Sequence, residues 1–223
     1  MIGFYNYTVV LTYLSLVSGV TGIMISLSDM GHPFYGALFL LISGLCDAFD
    51  GKVARTKQNR SDFEKKFGIQ IDSLSDLVAF GVLPASIGAA MFRRLSLQND
   101  GFPRTYTILI IAVIAFYVLT AMIRLAYFNV LEEERQQAES GERKTYVGLP
   151  VTSAALIFPM VLLVHYFLPA DITPLYFSAM LFVGVLFVSK IKITKPGLRG
   201  VLIMVALGAL EFVALLLLKL FAK

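Results

Sequence analysis

The chain has 223 residues, of which 57% are hydrophobic and only 15% charged, with a formal charge of +4. Soluble domains carry about 45–50% apolar and about 25% charged residues, so a water-soluble fold is excluded and the surplus apolar surface must face lipid. In a membrane protein a positive excess is read by its position along the chain, which removes nucleic-acid binding as its explanation. A single cysteine, Cys46, leaves no intramolecular disulfide.

In chain order, residues 1–10 lack the basic start of a signal peptide, so the first apolar run reads as a retained span. Runs long enough to cross a bilayer, about 20 residues, fall at 8–27, 33–49, 69–91, 105–130, 149–168, 172–188 and 200–220. Pro33 and Pro150 sit near helix starts, where a missing N–H costs little. Pro169 and Pro174 bracket a very short turn, so the fifth and sixth runs form an antiparallel hairpin. No soluble domain fits between the runs. The expectation is an all-α integral membrane protein, a single domain over residues 1–223 built as a bundle of six to eight transmembrane helices.

Basic residues set the orientation. Lys52, Arg55, Lys57, Arg60, Lys65 and Lys66 follow the second run, Arg135, Arg143 and Lys144 the fourth, and Lys190, Lys192, Lys195 and Arg199 the sixth. The opposite loops carry Arg93, Arg94 and Arg104. The bias places the N-terminus and the basic loops in the cytoplasm of a multi-pass cell-membrane protein. Glu132, Glu133 and Glu134 read as a solvated stretch. His32 and His165 read as structural.

The chemistry lies between the second and third runs. The second run ends in DAFDGKVAR, where Asp47 and Asp50 are three residues apart and share a helical face. The third opens with GIQIDSLSD, where Asp72 and Asp76 are four apart and share another. A charged side chain deep in a membrane helix costs roughly 2.5–3.5 kcal/mol. Helix capping suits Asp72 but puts Asp47 and Asp50 at the wrong end of their helix. Four carboxylates at one depth repel unless something neutralises them, and no lysine interrupts either helix beside the pairs. A hard divalent cation, Mg2+ or Mn2+, with room for phosphate oxygens fits better. Gly51 lets a ligand approach the backbone, and the fork of Arg55 suits phosphate. Together these features suggest a diphosphate-bearing substrate at a membrane surface.

The full segment reads Asp47-x2-Asp50-Gly51-x2-Ala54-Arg55-x12-Gly68-x3-Asp72-x3-Asp76. It resembles the signature of the CDP-alcohol phosphotransferase family, with all eight residue types present and a longer spacer before Gly68. The stretches IDSLSDLVAFGVLPA, RLAYFNV and KTYVGLPVTSAA are similar to those of the membrane-bound phosphatidylserine synthases within it, with Tyr127 where those have a second arginine. The resemblance implies transfer of a phosphatidyl group from CDP-diacylglycerol to the hydroxyl of L-serine, releasing CMP at the cytoplasmic face. It implies that Asp47, Asp50 and Asp72 bind the metal with Asp76 beside it, and that Asp76 is the general base. Gly51, Ala54, Arg55 and Gly68 would serve the CDP-lipid, and Arg124, Asn129 and Lys144 the acceptor. It also implies a homodimer. Other acceptors, such as glycerol 3-phosphate or an inositol phosphate, remain within the same family. A cation channel or transporter using the aspartates as an ion site is the reading from a different class.

Overall fold

In the computed structural model, residues 2–28, 32–99, 101–138, 145–168, 170–194 and 196–221 are described. A 3-10 turn, Tyr7–Val9, leads into α1 (Val10–Leu27), followed by α2 (Pro33–Arg55) and α3 (Asp62–Asp76). A π-helical segment, Leu77–Val82, joins α3 without a break to α4 (Leu83–Gln98). Then come α5 (Arg104–Ala138), α6 (Ala154–Leu163) between two 3-10 turns, α7 (Thr173–Val188) and α8 (Leu198–Phe221). Four stretches are long and apolar enough to cross a membrane: Tyr7–Leu27, Asp62–Gln98, Arg104–Glu134 and Leu198–Leu218. Val151–Tyr166 and Thr173–Val188 are shorter apolar helices. This is an all-α membrane protein, as the hydropathy pattern requires.

The structure corrects the expected boundaries around the aspartates. Lys52 and Arg55 lie in the last turn of α2, and Lys65 and Lys66 lie inside α3. The connection shrinks to Thr56–Ser61. The cause is local: Ser61 caps α3 by accepting the Glu64 N–H at 3.1 Å, the Ser-x-x-Glu arrangement that starts helices. Asp72 therefore sits well within α3, and Asp76 is its last residue before the π-helical segment. The all-α expectation also lacked a small ribbon, β1 (Thr145–Val147) paired antiparallel with β2 (Lys192–Thr194), with Tyr146 opposite Ile193.

α1 is inverted relative to a helix of a soluble protein. Its buried residues are Thr12, Ser15, Ser18, Gly19, Gly22 and Ser26, while Leu14, Val17, Met24 and Leu27 are exposed. Lipid is as apolar as leucine, so membrane helices associate through close backbone approach and interhelical hydrogen bonds. Ser18 donates to the Phe39 carbonyl at 2.8 Å, and Ser43 of α2 donates to the Ser15 carbonyl at 3.0 Å.

Aromatic rings form the centre of the bundle. Tyr117 meets Phe158 edge-on at 5.4 Å and Phe187 at 5.5 Å, and Phe158 meets Tyr176 at 5.1 Å. Both tyrosines are fully buried, so their hydroxyls need partners. Pro84 explains one of them. It has no N–H to offer the carbonyl four residues back, which belongs to Phe80. Tyr117 donates to that carbonyl at 2.7 Å, and Tyr176 donates to the Pro84 carbonyl at 2.9 Å. The irregular segment after Asp76 is thereby pinned by two other helices. At the start of α6, Gly148 adopts φ +78° and donates to the Ile191 carbonyl at 2.8 Å. A side chain there would sit 2.6 Å from the Phe187 carbonyl oxygen.

Candidate active site

α1, α2 and α3 converge on one polar centre. Carboxylate oxygens of Asp47, Asp50 and Asp72 lie within 4.8 Å of one another. Oxygens grouped in this way could hold one metal ion. Asp76 adjoins the group, its carboxyl beside that of Asp47 as Asp50 lies beside Asp72. Asp50 and Asp76 are buried, and Asp47 and Asp72 are partly so. The described residues include the ion pairs Lys57–Glu64, Arg60–Glu64, Lys65–Asp62 and Lys66–Glu133. None neutralises the four aspartates. Their donor set, hard oxygens without a protein cation, fits a divalent metal.

A cavity of about 460 Å³ opens beside this centre. Asp50 and Asp72 line it, and so do Gly51, Ala54, Arg55 and Gly68, which the family resemblance assigns to the CDP-lipid. Asp47 and Asp76 are not among the lining residues. Thr8, Thr12, Lys57, Arg60 and Lys65 line it as well. The space is therefore lined by both carboxylates and cations, which suits a metal bound to a diphosphate.

The residues expected at the acceptor are placed less uniformly. Asn129 of α5 exchanges hydrogen bonds with Ser73, the neighbour of Asp72, accepting at 3.1 Å and donating at 2.8 Å. It ties α5 to α3 one residue from Asp72. Arg124 is buried, donates from Nε to the Leu149 carbonyl at 3.2 Å and lies 4.8 Å from the Phe128 ring centre. It thus ties α5 to the entry of α6. Lys144 lies outside the described residues. Tyr127 is 54% exposed.

Two features escaped the sequence. Thr12 donates to Asp50 Oδ2 at 3.1 Å, and Ser75 donates to the Thr12 carbonyl at 3.1 Å. One of many hydroxyls in an apolar helix gives no signal until the partner is seen. Glu64 is buried, accepting from Asn6 at 2.7 Å and Lys57 at 2.8 Å. Its capping position was readable three residues after Ser61, but its link to the N-terminus was not.

A bundle of membrane helices with this aspartate cluster and this cavity defines a class. The chain belongs to the CDP-alcohol phosphatidyltransferase family, whose model matches residues 5–193. Among curated proteins it is similar to the CDP-diacylglycerol–serine O-phosphatidyltransferase of Saccharomyces cerevisiae, 35% identical over 158 residues, covering 66% of this chain and 51% of that one. The enzyme of the same name from Helicobacter pylori is 31% identical over 175 residues, covering 77% and 65%. The archaetidylserine synthase of Methanothermobacter thermautotrophicus is 31% identical over 185 residues, covering 82% and 66%. The matched region thus spans between half and two thirds of the length of these relatives.

Proposed function

We propose that the chain transfers a phosphatidyl group from CDP-diacylglycerol to the hydroxyl of L-serine, giving phosphatidylserine and CMP. The observation that carries this reading is the joining of three carboxylates within 4.8 Å to a cavity edged by Arg55 and Arg60. Asp47, Asp50 and Asp72 would hold Mg2+ or Mn2+, with Asp76 beside it. When bound, the metal would offset diphosphate charge and make CMP a better leaving group.

The protein's own groups supply the remaining steps. Arg55 and the open backbone at Gly51 and Ala54 bind the CDP moiety. Thr12 fixes the Asp50 carboxylate through its hydrogen bond. Asp76 accepts the proton of the acceptor hydroxyl as its oxygen bonds to the lipid-side phosphorus. The bond from that phosphorus to the bridging oxygen breaks, and its electron pair leaves with CMP. Asn129, paired with Ser73 beside Asp72, would serve the acceptor. Arg124 and Lys144 supply cations for the serine carboxylate.

The names of the relatives favour serine over glycerol 3-phosphate or an inositol phosphate, because both the diacylglycerol and archaeal enzymes are named for it. The bias of basic residues supports a cell-membrane protein with the site facing the cytoplasm. The pairing of two copies belongs to the same proposal. Protein in detergent with CDP-diacylglycerol, Mg2+ or Mn2+ and a panel of acceptors should release CMP only when serine is present. Release driven by another alcohol would reassign the acceptor. No release with any acceptor and metal, together with ion flux into liposomes, would replace the enzyme with a transporter.

A further inference from the structure

A second guanidinium stands in the same cavity. Arg60 belongs to the Thr56–Ser61 connection, within the long spacer between Arg55 and Gly68, and its side chain is only 13% exposed. Nη1 donates to the Ala54 carbonyl at 3.5 Å and Nη2 to the Glu64 carbonyl at 3.4 Å. Both are longer than ordinary N–H···O bonds. Nε is buried without a hydrogen-bond partner among the described residues. A guanidinium has five N–H donors, so most of this one's capacity is unused. The adjacent acid does not absorb it: Glu64 is already held by Asn6 and Lys57 and stands 4.0 Å from Arg60 Nε.

Gly68 lies directly under this head group. A Cβ at Gly68 would come within 2.8 Å of Arg60 Nη2, and its only other neighbour within 4 Å is Arg60 Cζ at 4.0 Å. The backbone of Gly68 is ordinary helix, so nothing in its conformation demands glycine. The absence of a side chain serves to admit the guanidinium.

We infer that Arg60 is a substrate-binding residue that grips the diphosphate of the CDP-linked lipid together with Arg55, and that Gly68 is a positioning residue that keeps the Arg60 head in the cavity. The inference rests on the proposed role of the cavity as the CDP-lipid site. A planar fork with free donors matches paired phosphate oxygens. Alanine at position 68 would displace only the tip of a flexible side chain. The fold should hold while the guanidinium moves.

The test is calorimetric binding of CDP-diacylglycerol, CDP and CMP to the full chain in detergent with Mg2+ or Mn2+. The variants are Arg60→Gln, Arg60→Lys, Gly68→Ala and the Gly68→Ala/Arg60→Gln double. Arg60→Gln should weaken CDP-diacylglycerol and CDP at least tenfold and CMP, with one phosphate fewer, distinctly less. Arg60→Lys, which keeps the charge, should fall between. Gly68→Ala should weaken CDP by a similar factor alone, yet by less than threefold on top of Arg60→Gln. Unchanged CDP affinity in Arg60→Gln and Arg60→Lys would overturn the role of Arg60. Penalties that multiply in the double variant would overturn the positioning role, because Gly68 would then touch the ligand itself. A native chain that binds none of the three ligands would instead overturn the reading of the cavity.

Discussion

Replacing Tyr117 by phenylalanine tests how the irregular helix beyond Asp76 is held. The ring contacts with Phe158 and Phe187 at 5.4 and 5.5 Å should survive. Only the hydroxyl is lost, and with it the 2.7 Å bond to the Phe80 carbonyl. Pro84, four positions on, has no N–H to offer that carbonyl. A buried carbonyl left without a partner costs about 1–3 kcal/mol, so Tyr117→Phe should destabilise by that amount. In a Pro84→Ala background the backbone regains an N–H that can satisfy Phe80. There the same Tyr117 change should cost about 0.5 kcal/mol or less, near the low end for a net hydrogen bond. The cycle can be measured by unfolding in mixed detergent micelles, followed by far-ultraviolet circular dichroism. Equal penalties in the two backgrounds would refute the link between the proline and the tyrosine.

The other predictions concern the site and one turn. Asp76→Asn should lower turnover by about 10²–10⁴, the usual contribution of a positioned base, while CDP-diacylglycerol binding changes only a few-fold; loss of binding together with turnover would contradict a separate base role. Removal of divalent metal with EDTA should abolish CMP release, and Mg2+ or Mn2+ should restore it. Thr12→Val should weaken divalent-ion affinity about 10–100-fold, as loss of a group that orients a ligand does, whereas Thr12→Ser should stay near the native value in Mn2+ titrations followed by electron paramagnetic resonance. Gly148→Ala should destabilise by at least about 1–2 kcal/mol from its positive φ alone, with more from the 2.6 Å approach to the Phe187 carbonyl, measured as a fall in the thermal midpoint in detergent.

The fold class and the four aspartates could be read in the chain because both are violations of a background. Long apolar runs are anomalous in water, and carboxylates are anomalous in apolar runs. The element ends were less visible, since hydropathy marks where a helix is apolar and not where it begins. Asp62–Gly68 carries four charged residues, so hydropathy starts the third run at Ile69, whereas the Ser61 cap starts α3 at Asp62. The ribbon at Thr145–Val147 and Lys192–Thr194 was hidden for the opposite reason: three-residue strands are too short to show alternation. Within the site, residues were legible when their type is costly or rare in a membrane helix, as with Asp50 or Arg55. Thr12, Ser73 and Glu64 were not, because their significance lies in a partner 38, 56 or 58 residues away.

The reversed polarity of α1 also bears on the order of assembly. A helix whose outer surface is leucine, valine and methionine is at home in lipid by itself, so α1 can insert before it finds its neighbours. Its hydroxyls and glycines act only once α2 and the α3–α4 rod arrive. Those helices bring the carboxylates, yet Asp50 lacks the Thr12 hydroxyl until α1 docks. Completion of the aspartate centre is therefore tied to a lateral docking event within the bilayer. A protein with α1 detached could keep every aspartate in its helix and still present Asp50 without its anchor.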